Sequence, residues 1–329
     1  MNDSHRPWTS SRAPVTKAST GRIRMNTVTA TVHVGERPID VAFSLGGTSV
    51  YVGNNGRSRA NASVSVIDAA STAVIATIPI GDYLQTVAMG PDGMAYVTVN
   101  GNNTMQVIDT DTNFVTTHID FTAPPQNVTV NPAGGHAYVI VGQNSLTVID
   151  TSSNTATTTT AGVGNTPQRV AFTPDGAWAY VTNINDGTVS VIDAMRNIVT
   201  ATIAIPPGAS AGQGPGGIVA GRDGAFVYVV NLSYTSGTVS VIETDNNTVT
   251  DTIPVGRWAV GAAISPDGST VYVTNLADDT VSVIDTFTNA VTDSVAVGHW
   301  PTAVAVSPDG STVYVTNGDD DTVSVISVD

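Results

Sequence analysis

Short segments in which apolar and polar residues alternate recur along the chain, and the last full copy shows them most clearly. This copy comprises residues 303–310, 311–317 and 322–326. Alternation with a period of two residues is typical of β-strands, and the Pro-Asp-Gly sequence between the first two segments favours a tight turn. Each copy therefore predicts three short strands.

The pattern occurs seven times, and a Tyr-Val pair marks the second strand of every copy. The tyrosines of these pairs are Tyr51, Tyr96, Tyr138, Tyr180, Tyr228, Tyr272 and Tyr314. A period of about 42 residues with three or four strands per copy is typical of β-propeller blades. Residues 27–34 match the segment that follows the third strand in other copies. We therefore predict an all-β fold, a seven-bladed β-propeller of four-stranded blades, closed by the N-terminal strand completing the last blade.

Charge separates the first residues from the rest of the chain. Residues 1–24 contain five of the twelve basic residues and a single acid, so the remainder carries a formal charge of −19. We predict a disordered basic tail at 1–26 and the propeller at 27–329. An export or transit role for the tail is the alternative. The acidic propeller would repel phosphate backbones, so we expect no nucleic acid among its partners.

The sequence contains no cysteine, which excludes disulfides, thiolate metal ligands and cysteine nucleophiles and leaves the redox compartment open. The tail is rich in Ser, Thr and Pro and has no apolar stretch, so it predicts neither a signal peptide nor a membrane span. The compartment stays unassigned, with the cytoplasm as the default because no signal peptide is visible.

Three short sequence motifs of the repeat recur almost unchanged. They are Tyr-Val-Thr-Asn at 180–183, 272–275 and 314–317, Ser-Pro-Asp-Gly at 265–268 and 307–310, and Thr-Val-Ser-Val-Ile-Asp at 188–193 and 280–285. They resemble the YVTN-repeat β-propeller family over nearly everything after Thr27. The resemblance implies a binding role like that of surface-layer and other exported bacterial and archaeal propellers, which makes the cell surface the alternative compartment. The sequence departs from the pattern at Val99 and Val141, which replace the final Asn.

Loop length varies on one face of the predicted propeller. We call this the top face; it carries the loops from each outermost strand to the next innermost strand and from each second strand to the third. Blade five has insertions at 206–215 and 233–236, and blade one has an insertion at 54–62 that contains Arg57 and Arg59. Because binding residues commonly lie on loops held by a rigid scaffold, we expect the functional site on the top face.

The residues that begin the innermost strands form columns around the central channel. The columns predict a funnel with a polar wall on blades one to four, an open glycine wall on blade five and an aromatic wall on blades six and seven. Such a funnel suits a small molecule with a polar end and a flat or apolar end. The candidate ligand-binding residues are Arg37, Tyr83, Gln85, Gln126, Asn127, Gln168, Gly214, Gly216, Arg257, Trp258 and Trp300. The alternative is a water-filled channel, with the tryptophans packed between blades.

Three residues are the candidates for catalysis if the protein is an enzyme. His299 titrates near neutral pH and would move a proton, Arg169 would stabilise developing negative charge, and Asp40 would orient or accept. Two other enzyme-like patterns, G-x-S-x-G at 208–212 and G-x-G-x-x-G at 212–217, are interpreted as accidental because no helix follows either one.

The remaining acids and histidines predict structural roles. The repeated aspartates lie in Pro-Asp-Gly turns or end third strands, where a carboxylate accepts turn N–H groups. The acids at 278–279 and 319–321 are interpreted as a solvated acidic rim in preference to a site for a hard cation. The spacing of the histidines does not fit zinc. We predict no metal and no cofactor.

Two functions remain open from the sequence. The first is a rigid, monomeric binding or interaction module that takes a small-molecule or protein ligand at its top face. The second is an enzyme of lyase, hydrolase or cyclase type that acts on a small organic substrate in the funnel.

Overall fold

Seven antiparallel four-stranded sheets follow one another along the chain in the computed structural model, which describes residues 26–58, 60–160, 162–206 and 213–328. Each sheet is one blade, and in six of them the strands run in chain order from the channel outward, whereas the seventh takes its outermost strand from the start of the described chain. This confirms the predicted all-β, seven-bladed propeller. The predicted tail, except Asn26, lies outside the described residues, as do Arg59 and the segment 208–212.

The four strand positions of a blade recur in the same order in all seven sheets. The innermost strands are β2 (Pro38–Phe43), β6 (Leu84–Met89), β10 (Pro125–Val130), β14 (Pro167–Phe172), β18 (Pro215–Ala220), β22 (Ala259–Ile264) and β26 (Pro301–Val306). The second strands are β3 (Ser49–Asn54), β7 (Met94–Val99), β11 (His136–Val141), β15 (Trp178–Asn183), β19 (Phe226–Asn231), β23 (Thr270–Asn275) and β27 (Thr312–Asn317). The third strands are β4 (Ala62–Asp68), β8 (Thr104–Asp109), β12 (Ser145–Asp150), β16 (Thr188–Asp193), β20 (Thr238–Glu243), β24 (Thr280–Asp285) and β28 (Thr322–Ser327). The outermost strands are β5 (Ala73–Gly81), β9 (Phe114–Asp120), β13 (Thr155–Thr160), β17 (Ile198–Ala204), β21 (Thr248–Pro254), β25 (Ala290–Ala296) and β1 (Thr27–His33).

The ring closes where β1 pairs with β28 in the seventh blade. The two strands are antiparallel, with Thr27 opposite Ser327 and His33 opposite Thr322. The first strand of the chain therefore supplies the outermost strand of the last blade, as its match to the other fourth strands predicts. No helix among the described ranges could span a membrane, since their single helical segment is the 3₁₀ turn Asn100–Asn102.

The apolar core lies between the blades. Each of the seven buried apolar clusters of the described residues joins two neighbouring sheets. Between blades one and two, for example, Val64 and Val66 share a cluster with Leu84 and Val87. Full burial of one such side chain contributes roughly 1.5–3 kcal/mol, so the junctions fix the blades as one rigid ring.

The turns opposite the top face are held by aspartates. At the ends of third strands, Asp109 accepts the N–H groups of Asp111 and Thr112 at 2.9 and 3.0 Å. In a Pro-Asp-Gly turn, Asp309 accepts the N–H of Ser311 at 3.0 Å. The structural role predicted for the repeated aspartates is confirmed at these turns.

Candidate functional site at the channel mouth

The innermost strands enclose a cavity of about 210 Å³ along the propeller axis. It is lined by one predicted column, namely Asp40, Thr86, Asn127, Arg169, Gly217, Gly261 and Ala303, together with their neighbours. The strand register shifts within this column; in blade four the shift lies between Pro167 and Val170. A β-bulge of this kind re-aims side chains beside the ladder, and here it includes Arg169.

Asp40 and Arg169 meet across the channel. Arg169 Nη1 lies 3.9 Å from Asp40 Oδ2, and the Asp40 side chain is only 12% exposed. The same Asp40 oxygen accepts the N–H of Val87 at 2.9 Å. Thr86 Oγ1 accepts from Arg169 Nη1 at 3.5 Å and from Asn127 Nδ2 at 3.4 Å. Blades one to four thus share one polar network at the channel wall.

Burial raises the pKa of Asp40 above its ordinary value. The Arg169 charge and the N–H groups of Val87 and Val41 oppose this effect, and burial exceeds them. A carboxyl group with a raised pKa holds its proton to higher pH and is a stronger base once it is ionised. Asp40 is therefore the channel group best suited to exchange a proton.

Close packing explains most of the glycines on the opposite wall. A Cβ on Gly217 would lie 2.2 Å from the carbonyl oxygen of Val260, and one on Gly214 would lie 2.4 Å from that of Ile184. Gly214 is buried, so the wall that the sequence predicts to be open is closely packed there. Gly216 differs, because the nearest atom to an added Cβ is 3.9 Å away.

Three aromatic rings form a continuous cluster on the top face. The rings of Trp258 and Trp300 meet edge to face with centroids 5.4 Å apart, and Tyr234 lies 5.0 Å from Trp258. Trp300 is 37% exposed and Tyr234 is 51% exposed. Tyr234 escaped the column analysis because it lies in the loop between β19 and β20. The insertion at 233–236 was the signal that could have identified it.

Two of these rings, those of Trp258 and Trp300, are carried by residues in the left-handed backbone conformation. The residues with positive φ at this loop position are Arg37 (φ 54°), Tyr83 (φ 55°), Thr166 (φ 54°), Trp258 (φ 51°) and Trp300 (φ 61°). Such conformations cost bulky or β-branched residues about 1 kcal/mol or more and cluster at ligand sites.

Acids and carbonyl groups on the top face hold these strained loops. Asp321 Oδ1 accepts the N–H of Arg37 at 2.8 Å, and Asp279 Oδ1 accepts the N–H of Trp300 at 3.0 Å. The Ser233 carbonyl accepts the N–H of Trp258 at 2.8 Å. The acids of the rim thus hold the loop backbone. The described residues include no group of three or more His, Asp or Glu side chains placed to hold a metal ion.

His299 lies on this rim, away from the Asp40–Arg169 pair. Its Nδ1 is 2.9 Å from Asp320 Oδ1, its Nε2 is 4.0 Å from Asp279 Oδ2, and its side chain is 73% exposed. The hydrogen bond to Asp320, followed by the charges of Asp320 and Asp279, raises the pKa of His299. The structure thus brings two of the three candidate catalytic residues together, and His299 is absent from the residues that line the channel cavity.

The other candidate binding residues surround the channel mouth. Arg37 and Tyr83 are exposed on the top face, and Arg257 pairs with Asp278 at 2.6 Å. The candidate glutamines Gln85, Gln126 and Gln168 occupy equivalent positions near the start of the innermost strands of blades two to four, and all are partly buried. Among the described residues their side-chain amides have no hydrogen-bond partner, and none of the three is among the residues that line the channel cavity.

Fold and site together define a seven-bladed β-propeller whose channel opens beneath an exposed aromatic cluster. The model of the family described as Lactonase, 7-bladed beta-propeller, matches residues 141–285 and 232–329. These two matches cover more than half of the chain, so the protein belongs to this family. No curated protein matches the chain.

Two solved structures share the fold at low sequence identity. Hydrazine synthase of Kuenenia stuttgartiensis is 20% identical with a TM-score of 0.80, over 89% of this chain and 96% of that chain. The beta-propeller domain of Myceliophteria thermophila Cps50 (Swd1) is 11% identical with a TM-score of 0.77, over 93% of this chain and 100% of that chain. At these identities the likeness shows the fold alone.

Proposed function

We propose that the protein is a rigid binding module that takes a small organic ligand at the channel mouth of its top face. The observation that carries this proposal is the exposed cluster of Tyr234, Trp258 and Trp300, two of whose members sit on left-handed backbone. Tyr234 and Trp300 are exposed and none of the three rings belongs to the buried core. They offer a flat apolar surface to a ligand.

The dimensions of the site set the pose of the ligand. Cavities for drug-sized ligands measure about 300–1,000 Å³, so the channel of about 210 Å³ admits only one end of such a molecule. Trp258 precedes the channel-lining Val260 by two residues, a rise of roughly 7 Å along a strand. A ligand can therefore lie flat on the aromatic cluster and extend a polar end into the channel toward Asn127 and Arg169.

Fluorescence titration tests the binding proposal. The probes are δ-gluconolactone, γ-butyrolactone and an N-acyl homoserine lactone, chosen because the family description names a lactonase. At least one probe should change tryptophan emission saturably, and Trp258→Ala or Trp300→Ala should weaken its binding about tenfold. Trp178→Phe, on the opposite face, is the matched control and should bind normally. Unchanged affinity in both top-face variants, or no saturable change with any probe, would overturn the proposal.

A second candidate function is hydrolysis of a lactone in the channel. The raised pKa of Asp40 beside Arg169 and the family membership favour it. Ionised Asp40 would take a proton from water as the water oxygen bonds to the lactone carbonyl carbon, and Arg169 would stabilise the negative oxygen. The ring C–O bond then breaks, the leaving oxygen takes the proton from Asp40, and a hydroxy acid results. The proposed role of His299 is to pass protons between the channel mouth and solvent.

Titration of released acid at constant pH separates the two candidates. If the protein is a hydrolase, wild type consumes base with a lactone and Asp40→Asn lowers turnover at least a hundredfold while the probe still binds. The matched control Asp251→Asn, on the outer strand β21, should keep wild-type turnover. Binding without base consumption by wild type would reject the hydrolase and leave the binding module.

The sequence of the repeats supports a binding role as well. It resembles YVTN propellers of the surface-layer type, so the cell surface remains the proposed alternative to the cytoplasm for this chain. We also propose that a single chain is the functional unit. Light scattering of the purified chain tests the second point, and a mass above one chain would reject the monomer.

A further inference from the structure

A second cavity, of about 690 Å³, lies between blades four and five on the face opposite the aromatic cluster. Its walls are the turn that precedes β15, the turn that follows β20 and the outer strand β17. Its lining includes Asp175, Trp178, Tyr180, Asp223, Asp245 and Asn247. The volume is within the range of small-molecule sites, and neither candidate function above uses it.

The cavity exists because the junction between blades four and five lacks the aromatic packing that closes the junction between blades three and four. His136 begins β11 as Trp178 begins β15, and the His136 ring packs 5.9 Å from Phe172, the last residue of β14. The residue that ends β18 at the corresponding position is Ala220, which has no ring to offer. Trp178 accordingly remains 40% exposed beside the cavity.

The charge of the lining selects the ligand. Three carboxylates, Asp175, Asp223 and Asp245, border the cavity, and among the described residues that line it there is no Lys, Arg or His. Hydrogen bonds from Thr173 and from the N–H of Ala177 lower the pKa of Asp175, which keeps it ionised at neutral pH. Among the described residues, no group of three or more such acids is placed to hold a metal ion. An exposed indole beside carboxylates suits an organic cation.

We infer that this groove between blades four and five binds an organic ammonium ion, with the cationic group on the face of Trp178 and the carboxylates of Asp175, Asp223 and Asp245 around it. An indole is the best aromatic partner for a cation, and neighbouring carboxylates add a long-range attraction that salt screens. Tyr180 donates its hydroxyl hydrogen to Asn247 Oδ1 at 3.1 Å and so ties the two blades together at the groove.

The ammonium group can belong to a free small molecule or to a lysine side chain of a partner. NMR titration of the tryptophan indole N–H signals distinguishes the two with choline and a Gly-Lys-Gly peptide as probes. The neutral isostere of choline, in which a tert-butyl group replaces the trimethylammonium group, is the matched ligand control. Tighter binding of choline identifies a free quaternary ammonium as the ligand, and tighter binding of the peptide identifies a lysine side chain.

We expect choline or the peptide to shift the Trp178 signal saturably, and the neutral isostere to bind at least tenfold more weakly. Trp178→Ala should weaken binding about fivefold or more. If the tryptophan variant fails to fold, Asp245→Asn, an exposed change that spares the core, replaces it and should also weaken binding. Phe287→Ala, an exposed aromatic change in blade six, should leave binding intact. Equal binding of the neutral isostere, a shift confined to Trp258 and Trp300, or no saturable shift with either cation would overturn the inference.

Discussion

Tyr51 of blade one donates its hydroxyl hydrogen to Asn113 Oδ1 of blade two, at 2.7 Å. Asn113 is the left-handed residue of the turn that follows β8, with a φ of 59°. Tyr138 bonds Asn197 of the next blade in the same way, at 2.5 Å. In blades one, three and four the repeated tyrosine is thus a buried polar tie to the next blade.

Tyr314 of blade seven makes no such tie to blade one. Tyr314 Oη is buried, and the described residues offer it no hydrogen-bond partner. The turn of blade one carries Thr72 where other blades carry Asn, and Thr72 also has a positive φ, of 56°. Threonine is too short to reach the hydroxyl and is strained in this conformation.

Thr72→Asn should stabilise the protein by about 1–2 kcal/mol, because it supplies an acceptor for Tyr314 and suits the left-handed backbone. Denaturant unfolding measures the change. In a Tyr314→Phe background the gain should fall by about 1 kcal/mol, the part that belongs to the hydrogen bond. Asn113→Thr is the reverse change at an intact tie and should destabilise. An equal gain with and without the Tyr314 hydroxyl would contradict the explanation.

Tyr83→Gly should raise the thermal midpoint although it removes a large side chain. Tyr83 is exposed and has a φ of 55°, and glycine adopts this conformation without the cost that a Cβ brings. Tyr83→Ala is the control, since it deletes the ring and keeps the Cβ. The Gly variant should be about 1 kcal/mol more stable than the Ala variant by calorimetry. Equal stability would show that the loop carries no strain at this residue.

Asp40→Asn should become more stable relative to wild type as pH rises. The pKa of Asp40 is raised in the folded protein from its ordinary 3.8. The folded state therefore binds the proton more tightly than the unfolded state, and wild type loses stability as pH rises from that value through the raised pKa. The Tm difference between variant and wild type should grow over this window and then level off. A Tm difference that does not grow with pH would contradict the raised pKa of Asp40.

Asp320→Asn should lower the pKa of His299 toward its ordinary value, because the side-chain hydrogen bond to Asp320 is the largest cause of the raised pKa. NMR titration of the histidine ring protons gives the shift. Asp319 has the smallest effect, so Asp319→Asn should change the pKa of His299 less. In wild type the ion pair stabilises the rim below the ordinary His pKa of 6.5 and is lost as pH rises through the raised pKa. A larger effect of Asp319→Asn would contradict this account.

The sequence was sufficient for the fold and for part of the site. Seven repeats fix the blade count, and the column of Asp40 and Arg169 lines the channel as the alignment predicts, since equivalent positions in a ring face the same axis. The aromatic cluster was only partly predictable, because Tyr234 reaches Trp258 through a loop whose path no repeat specifies. The position of His299 away from the channel was also not predictable from the repeat. Its orientation depends on Asp320, which is close in space and distant from it along the repeat.

The seam between β1 and β28 also determines how the ring responds to tension. Thr27 and Ser327 lie opposite each other at the same end of the strand pair. A force that pulls these two residues apart acts across the strands, so the hydrogen bonds between β1 and β28 break one after another from this end. Removing β1 leaves β28 as an unpaired edge in blade seven. Mechanical load on the two ends therefore enters the ring at this seam, however firmly the other blade junctions are packed.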